Sequence, residues 1–68
     1  MPIEIHVNGR IRVLPEAAGL EALLAEMGLA GKRVAVEINR EIVPRAQHRD
    51  RALRDGDQVE IVQAIGGG

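Results

Sequence analysis

The side chains that most often carry catalysis are scarce in this sequence, and those present stand alone. The only histidines are His6 and His48. His6 falls on the outward phase of an alternating segment, and His48 lies in an irregular arginine-rich stretch. Neither has Cys, His or carboxylate partners at metal-ligand spacing. There is no cysteine, so no side chain can carry a persulfide, form a thioester, bind a metal as thiolate or enter a disulfide. No Ser–His–acid pattern or phosphate-binding loop is visible. The group that stands out is main-chain: the sequence ends Ala64-Ile65-Gly66-Gly67-Gly68. Three consecutive glycines have the greatest conformational freedom a chain can have, so they do not serve to stabilise a fold. They make a narrow thread, free of side chains, suited to a channel in another protein. At its end is the α-carboxylate of Gly68, inert to nucleophiles until activated, for example as an acyl-adenylate by a partner that holds ATP. The triglycine is not itself an anion-binding loop, because no helix follows it.

The elements that would position this tail follow from periodicity. Ile3, Ile5 and Val7 alternate with Glu4 and His6, the pattern of a strand with one buried face. Asn8-Gly9 is a strong hairpin signal, since a type I′ turn needs positive φ at both central residues. Arg10-Ile11-Arg12-Val13 alternates again, and Leu14-Pro15 ends the returning strand. Leu20, Leu23, Leu24 and Met27 then lie at i, i+3, i+4 and i+7, one stripe of a helix. Gly28 is placed as its left-handed C′ residue, with Leu29 making the accompanying apolar contact. The helix start, Ala17-Ala18-Gly19, has only Gly19 to act as a cap.

A third strand is predicted at Val34, Val36 and Ile38, with those three inward, because a one-residue slip would expose them all. Asn39-Arg40 turns the chain into a short strand at Glu41-Ile42-Val43, which Pro44 stops. Arg45 to Arg54 reads as irregular, holding at most a short helical turn, with Leu53 as its core anchor. Asp55-Gly56 marks a turn, and Gln58 to Gln63 forms the last strand, with Val59 and Ile61 inward. Val62 breaks that alternation and faces out, so Val62 and Ile65 form an expected apolar docking patch beside the tail.

The order strand, strand, helix, strand, short strand, strand requires one helix to cover one face of a mixed sheet. The expected fold is therefore α+β, a β-grasp (ubiquitin-like) sheet of four to five strands. In that architecture the first and last strands run side by side in parallel. The expected division is a β-grasp domain over 1–65 and a flexible tail over 66–68.

Composition narrows the function classes. A chain of 68 residues with no Phe, Trp or Tyr has a thin aliphatic core and little room for an enclosed catalytic pocket. The formal net charge of -1 gives no electrostatic case for nucleic acid or an anionic membrane. Arg45, Arg49, Arg51 and Arg54 could be read as an RNA patch. With Asp50 and Asp55 interspersed and no aromatics to stack bases, a solvated face is the better reading, and a docking surface for an acidic partner stays open. No segment approaches the ~20 apolar residues of a membrane span, and Met1-Pro2-Ile3-Glu4 does not begin a targeting signal. A cytoplasmic, non-enzymatic protein is expected.

Two segments carry a family resemblance. Asn39-Arg40-Glu41-Ile42-Val43-Pro44-Arg45 and Arg54-Asp55-Gly56-Asp57-Gln58-Val59-Glu60-Ile61-Val62-Gln63-Ala64-Ile65-Gly66-Gly67-Gly68 together resemble the ThiS family of thiamine-biosynthesis sulfur carriers. The likeness extends over essentially the whole chain. The Asp-Gly-Asp turn alone is weak, while the Ile-Val-Pro-Arg segment, the Glu-Ile-Val strand and the terminal glycines are more specific in combination. Ala18-Gly19 departs from the family, where a Thr cap is common. The resemblance implies that a ThiF-type adenylating enzyme, using MgATP, activates the Gly68 carboxylate. A cysteine desulfurase or other persulfide donor then supplies sulfur, leaving a thiocarboxylate. Thiazole synthase (ThiG) accepts that sulfur while building the thiazole of thiamine. It further implies that Gly66 and Gly67 thread into the partner and that the carrier holds no cofactor of its own. The alternatives are a carrier for molybdopterin synthesis or tRNA thiolation, a β-grasp interaction module without terminal chemistry, and a modifier joined to lysines.

Overall fold

The computed structural model describes residues 1–63. Five strands and one helix follow in the order β1 (Ile3–Val7), β2 (Arg10–Leu14), α1 (Leu20–Glu26), β3 (Val34–Ile38), β4 (Glu41–Val43) and β5 (Gln58–Gln63), with a 3₁₀ turn at Arg45–Gln47. The strands form one sheet in the order β2-β1-β5-β3-β4. β1 pairs parallel with β5, and the other pairs are antiparallel. This is the expected β-grasp arrangement.

The core is built from the inward phases of the strands and the apolar stripe of the helix. Ile3, Ile5, Val7, Val36, Ile38, Val59 and Ile61 meet Leu20, Leu23 and Leu24, with Leu14, Val43 and Leu53 closing the margins. Met27, Leu29 and Val34 pack against it, half-buried. The expected phases of β1, β3 and β5 are all observed.

The helix ends as its sequence predicts. Gly28 has φ 76°, its N–H donates to Ala25 O at 3.0 Å, and the Leu29 N–H donates to Leu24 O at 2.8 Å, the two bonds of a Schellman cap. Its start is held differently. Gly19 makes no side-chain cap. Instead the Leu20 N–H donates to the Arg51 carbonyl at 2.9 Å, and Gly19 bridges Ala52. A Cβ at residue 19 would lie 3.0 Å from Arg51 O. The glycine that looked like a weak cap is thus a close-approach position for the chain that crosses it.

β2 differs from a simple alternating strand. Its polar residues occupy the helix side: Arg12 donates to Glu26 of the helix at 2.9 Å. Its apolar Ile11 and Val13 are exposed on the opposite face. The cause is register. Asn8 and Gly9 both have positive φ (51° and 81°), so the two-residue turn sets Arg10 opposite inward-facing Val7. Every second residue after Arg10 then shares that face. An edge strand tolerates inward charges, which also discourage edge-to-edge pairing.

The sheet face away from the helix carries Ile11 and Val13 on β2, Glu4 and His6 on β1, Gln58, Glu60 and Val62 on β5, Ala35 and Glu37 on β3, and Ile42 on β4. No helix among the described residues is long and apolar enough to cross a membrane.

Candidate functional site

β5 leads directly into the segment of expected chemistry, and both of its edges are occupied. On one side it pairs with the whole of β3, from Ile38 opposite Val59 to Val34 opposite Gln63. On the other, the parallel ladder with β1 pairs only His6 with Gln58 and Val7 with Val59. Asn8 then continues where the ladder stops. Its Oδ1 accepts the Ile61 N–H at 2.9 Å, and its Nδ2 donates to Ile61 O at 3.1 Å. Asparagine suits both duties here: it tolerates the left-handed turn position, and its carboxamide reproduces the donor and acceptor of a peptide group.

The beginning of β5 is tied by the second turn in the same manner. Asn39 has φ 52°. Its N–H donates to Gln58 O at 2.7 Å, and its Oδ1 accepts the Gln58 N–H at 3.0 Å. Its Nδ2 donates to Asp57 Oδ1 at 3.0 Å. The other oxygen of the buried Asp57 accepts the Arg54 N–H at 2.8 Å. Two hairpin tips from opposite sides therefore grip one strand, Asn39 at its first residue and Asn8 at Ile61. The buried side chains of Val59 and Ile61 fix its inner face.

Of the residues expected to act, Val62 lies within this frame. It is 65% exposed on the open face, opposite Ala35, as expected. Ile65, Gly66, Gly67 and Gly68 lie outside the described residues. The histidines serve other ends. His48 is buried, with its Nε2 3.0 Å from Val43 O, so its ring anchors the loop after β4. His6 is half-buried on the open face. The arginine-rich stretch does not gather into one basic face: Arg49 approaches Glu21 at 3.9 Å, and Arg51 is half-buried beside the helix start. A groove of about 600 Å³ between the helix and the 3₁₀ turn is lined by Lys32, Arg45 and Arg49 together with Glu21, Asp50 and apolar Leu24, Leu29 and Val34. Its charges are mixed. Among the described residues, no three His, Asp or Glu side chains come together to hold a metal ion.

Sequence reasoning missed the double role of Asn8 and Asn39 and the bracing by Asp57. A signal for the first was present, since each asparagine sits at a predicted turn between strands. No local pattern announces that their amides reach a strand about fifty residues away for Asn8 and about twenty for Asn39.

Comparison with known proteins agrees with this architecture. The model of the ThiS family matches residues 4–68. The chain is 44% identical over 66 residues to a segment of the thiazole synthase of Paramagnetospirillum magneticum, covering 97% of this chain and 20% of that protein. It therefore spans about a fifth of that relative, and the same share of the thiazole synthase of Magnetococcus marinus, at 39% identity. It is also 44% identical to the sulfur carrier protein ThiS of Thermus thermophilus, covering 94% of this chain and 98% of that one. The crystal structure of the thiamine biosynthesis protein ThiS from Geobacter metallireducens superposes with a TM-score of 0.79 at 30% identity, covering 97% of this chain and all of that one. With its family's pattern running from β1 through the terminal glycines, the chain belongs to the ThiS family.

Proposed function

We propose that this protein is a cytoplasmic sulfur carrier for thiazole formation in thiamine biosynthesis, and that its reactive group is the Gly68 carboxylate rather than any side chain. A ThiF-type enzyme binding MgATP provides the activation. The carboxylate attacks the α-phosphate, pyrophosphate leaves, and an acyl-adenylate forms. The terminal sulfur of a persulfide, on a cysteine desulfurase or another donor, attacks the acyl carbon and expels AMP. A thiol then cleaves the sulfur–sulfur bond, becoming a disulfide and leaving the Gly68 thiocarboxylate. The carrier itself catalyses none of these steps. It contributes recognition, through Val62 and Ile65, and a thread, through Gly66 and Gly67, that passes a channel too narrow for side chains.

The observation that carries this reading is the family match through residue 68, which includes the glycines. The grip on β5 from both edges supports it, because a rigid root gives a glycine thread a defined origin and direction. Thiazole synthase is the favoured acceptor over molybdopterin synthesis or tRNA thiolation. The support is that two relatives bearing the name thiazole synthase contain a segment similar to nearly all of this chain.

Intact-mass measurement tests the proposal after incubation with a ThiF-type enzyme, MgATP and a persulfide donor. The expected result is a sulfur-for-oxygen exchange localised to Gly68 and absent when Gly68 is deleted. An unchanged mass with a demonstrably active partner enzyme refutes the thiocarboxylate and favours an interaction module.

A further inference from the structure

Glu37 and Glu60 face each other directly across β3 and β5 on the open side of the sheet. Directly opposed residues in such a pair bring their Cβ atoms to about 4.5–5.5 Å, and like charges at that spacing destabilise the sheet. The imidazole-bearing residue of that face, His6, is half-buried on β1 across from Gln58 rather than from either glutamate. The sequence has nine Lys and Arg residues, yet none occupies an outward strand position among the described residues. The pair is flanked by exposed apolar side chains: Ile42, 76% exposed and directly across from Glu37, and Val62, two residues beyond Glu60. A face that keeps two opposed carboxylates between two exposed aliphatic side chains is unfavourable alone and complementary to an apolar surface that carries a cation.

We infer that Glu37 and Glu60 form a clamp for an arginine or lysine side chain of the adenylating partner, inserted between Ile42 and Val62. The inference rests on the carrier reading and deepens it. The tail supplies the reacting group, and the clamp supplies the orientation with which the tail's root is presented. The occupant is a protein surface rather than a small cation, because the apolar flanks need apolar cover to be removed from water. Continuity favours the adenylating enzyme, since Val62 lies on the strand that runs into the thread. A single guanidinium can bridge two carboxylates with its planar set of donors.

The clamp has an unusual signature, because it should weaken the free protein and strengthen the complex. The test compares wild type with the double variant Glu37→Gln/Glu60→Gln, which keeps size and hydrogen-bonding capacity while removing both charges. Affinity for a ThiF-type enzyme is measured by calorimetry at low and high salt, with the Tm of each free protein recorded alongside. The expected result is a raised or unchanged Tm together with affinity weakened about tenfold or more, and a shallower salt dependence than wild type. Affinity within about twofold of wild type, with unchanged salt dependence, overturns the inference. So does a weakened affinity accompanied by a lowered Tm, since the pair would then be supporting the fold. The carrier reading fails separately. If wild type acquires no thiocarboxylate, that reading is lost; if wild type and the double variant are converted and bound alike, only the clamp is lost.

Discussion

Replacing Asn8 separates two contributions that one side chain makes to the root of the tail. The residue sits at φ 51°, and its amide makes two hydrogen bonds to Ile61, at 2.9 and 3.1 Å. Asn8→Gly keeps the left-handed turn at no steric cost and removes only the bonds. At about 1 kcal/mol for each neutral bond, plus about 0.4–1 kcal/mol for the freer unfolded chain, the loss is about 2–3 kcal/mol. In a domain of this size that lowers Tm by about 8–24 °C. Asn8→Ala adds about 1–2 kcal/mol, because a Cβ disfavours the left-handed region. Asn8→Asp keeps the acceptor for the Ile61 N–H and loses the donor, so it should fall between wild type and Asn8→Gly. The assay is urea or thermal unfolding followed by far-ultraviolet circular dichroism, as the chain has no Trp or Tyr to report by fluorescence. Hydrogen exchange at the Ile61 amide provides the local readout and should accelerate in the glycine variant beyond the change in global stability. Should Asn8→Gly stay within about 0.5 kcal/mol of wild type, with Ile61 protection intact, the amide would contribute nothing and the account of a strand gripped from both sides would be wrong.

Two further substitutions test the backbone reasoning at sites away from the tail. Gly19→Ala should destabilise the protein by about 1–3 kcal/mol, because its Cβ would meet the Arg51 carbonyl at 3.0 Å and that oxygen is main-chain. The urea midpoint reads this, and a neutral or stabilising outcome would mean that the crossing segment yields freely. Arg40 is a non-glycine residue at φ 69° in the turn between β3 and β4, so Arg40→Gly should raise stability by about 0.5–1 kcal/mol as an Asn-Gly type I′ turn replaces a strained one. An unchanged or lowered midpoint would show that the Arg40 side chain offsets the strain of its backbone.

The parts of the fold that were legible beforehand are those in which local pattern and global packing agree. The Leu20, Leu23, Leu24 stripe, the inward phases of β1, β3 and β5, Gly28 as a helix stop and Leu53 as an anchor all follow from periodicity or a single backbone requirement. Strand pairing is not encoded locally, and what was missed depends on it. That Ile11 and Val13 face solvent follows from the register set at the Asn8-Gly9 turn, which overrides the hydrophobicity of β2. The destination of the Asn8 amide, and the meeting of Glu37 with Glu60, required β5 to lie between β1 and β3. The reading of the tail rests on different ground. Three consecutive glycines favour no regular element by their own propensity, and Gly66, Gly67 and Gly68, which lie outside the described residues, are therefore assigned to a partner by proposal alone.

The same logic explains where this small domain departs from self-consistency. Among the described residues, no buried side-chain polar atom lacks a partner. Several departures, among them the opposed glutamates, the outward Val62 and the exposed Ile42, lie on the open face of the sheet on β5, β3 and β4, while exposed Ile11 and Val13 share that face on β2. A domain with so thin a core has little stability to spare, so unfavourable surface features tend to persist only where something outside the free protein offsets them. Relief of those features in the proposed complex would make docking and tail presentation one event, because the proposed docking surface includes β5, the strand that precedes the tail in sequence. On the proposed carrier reading, geometry alone would direct the reaction: β5 is paired with β3 from Val59 to Gln63 and tied to the other side as far as Ile61, and one face of that strand would be left for the partner to complete.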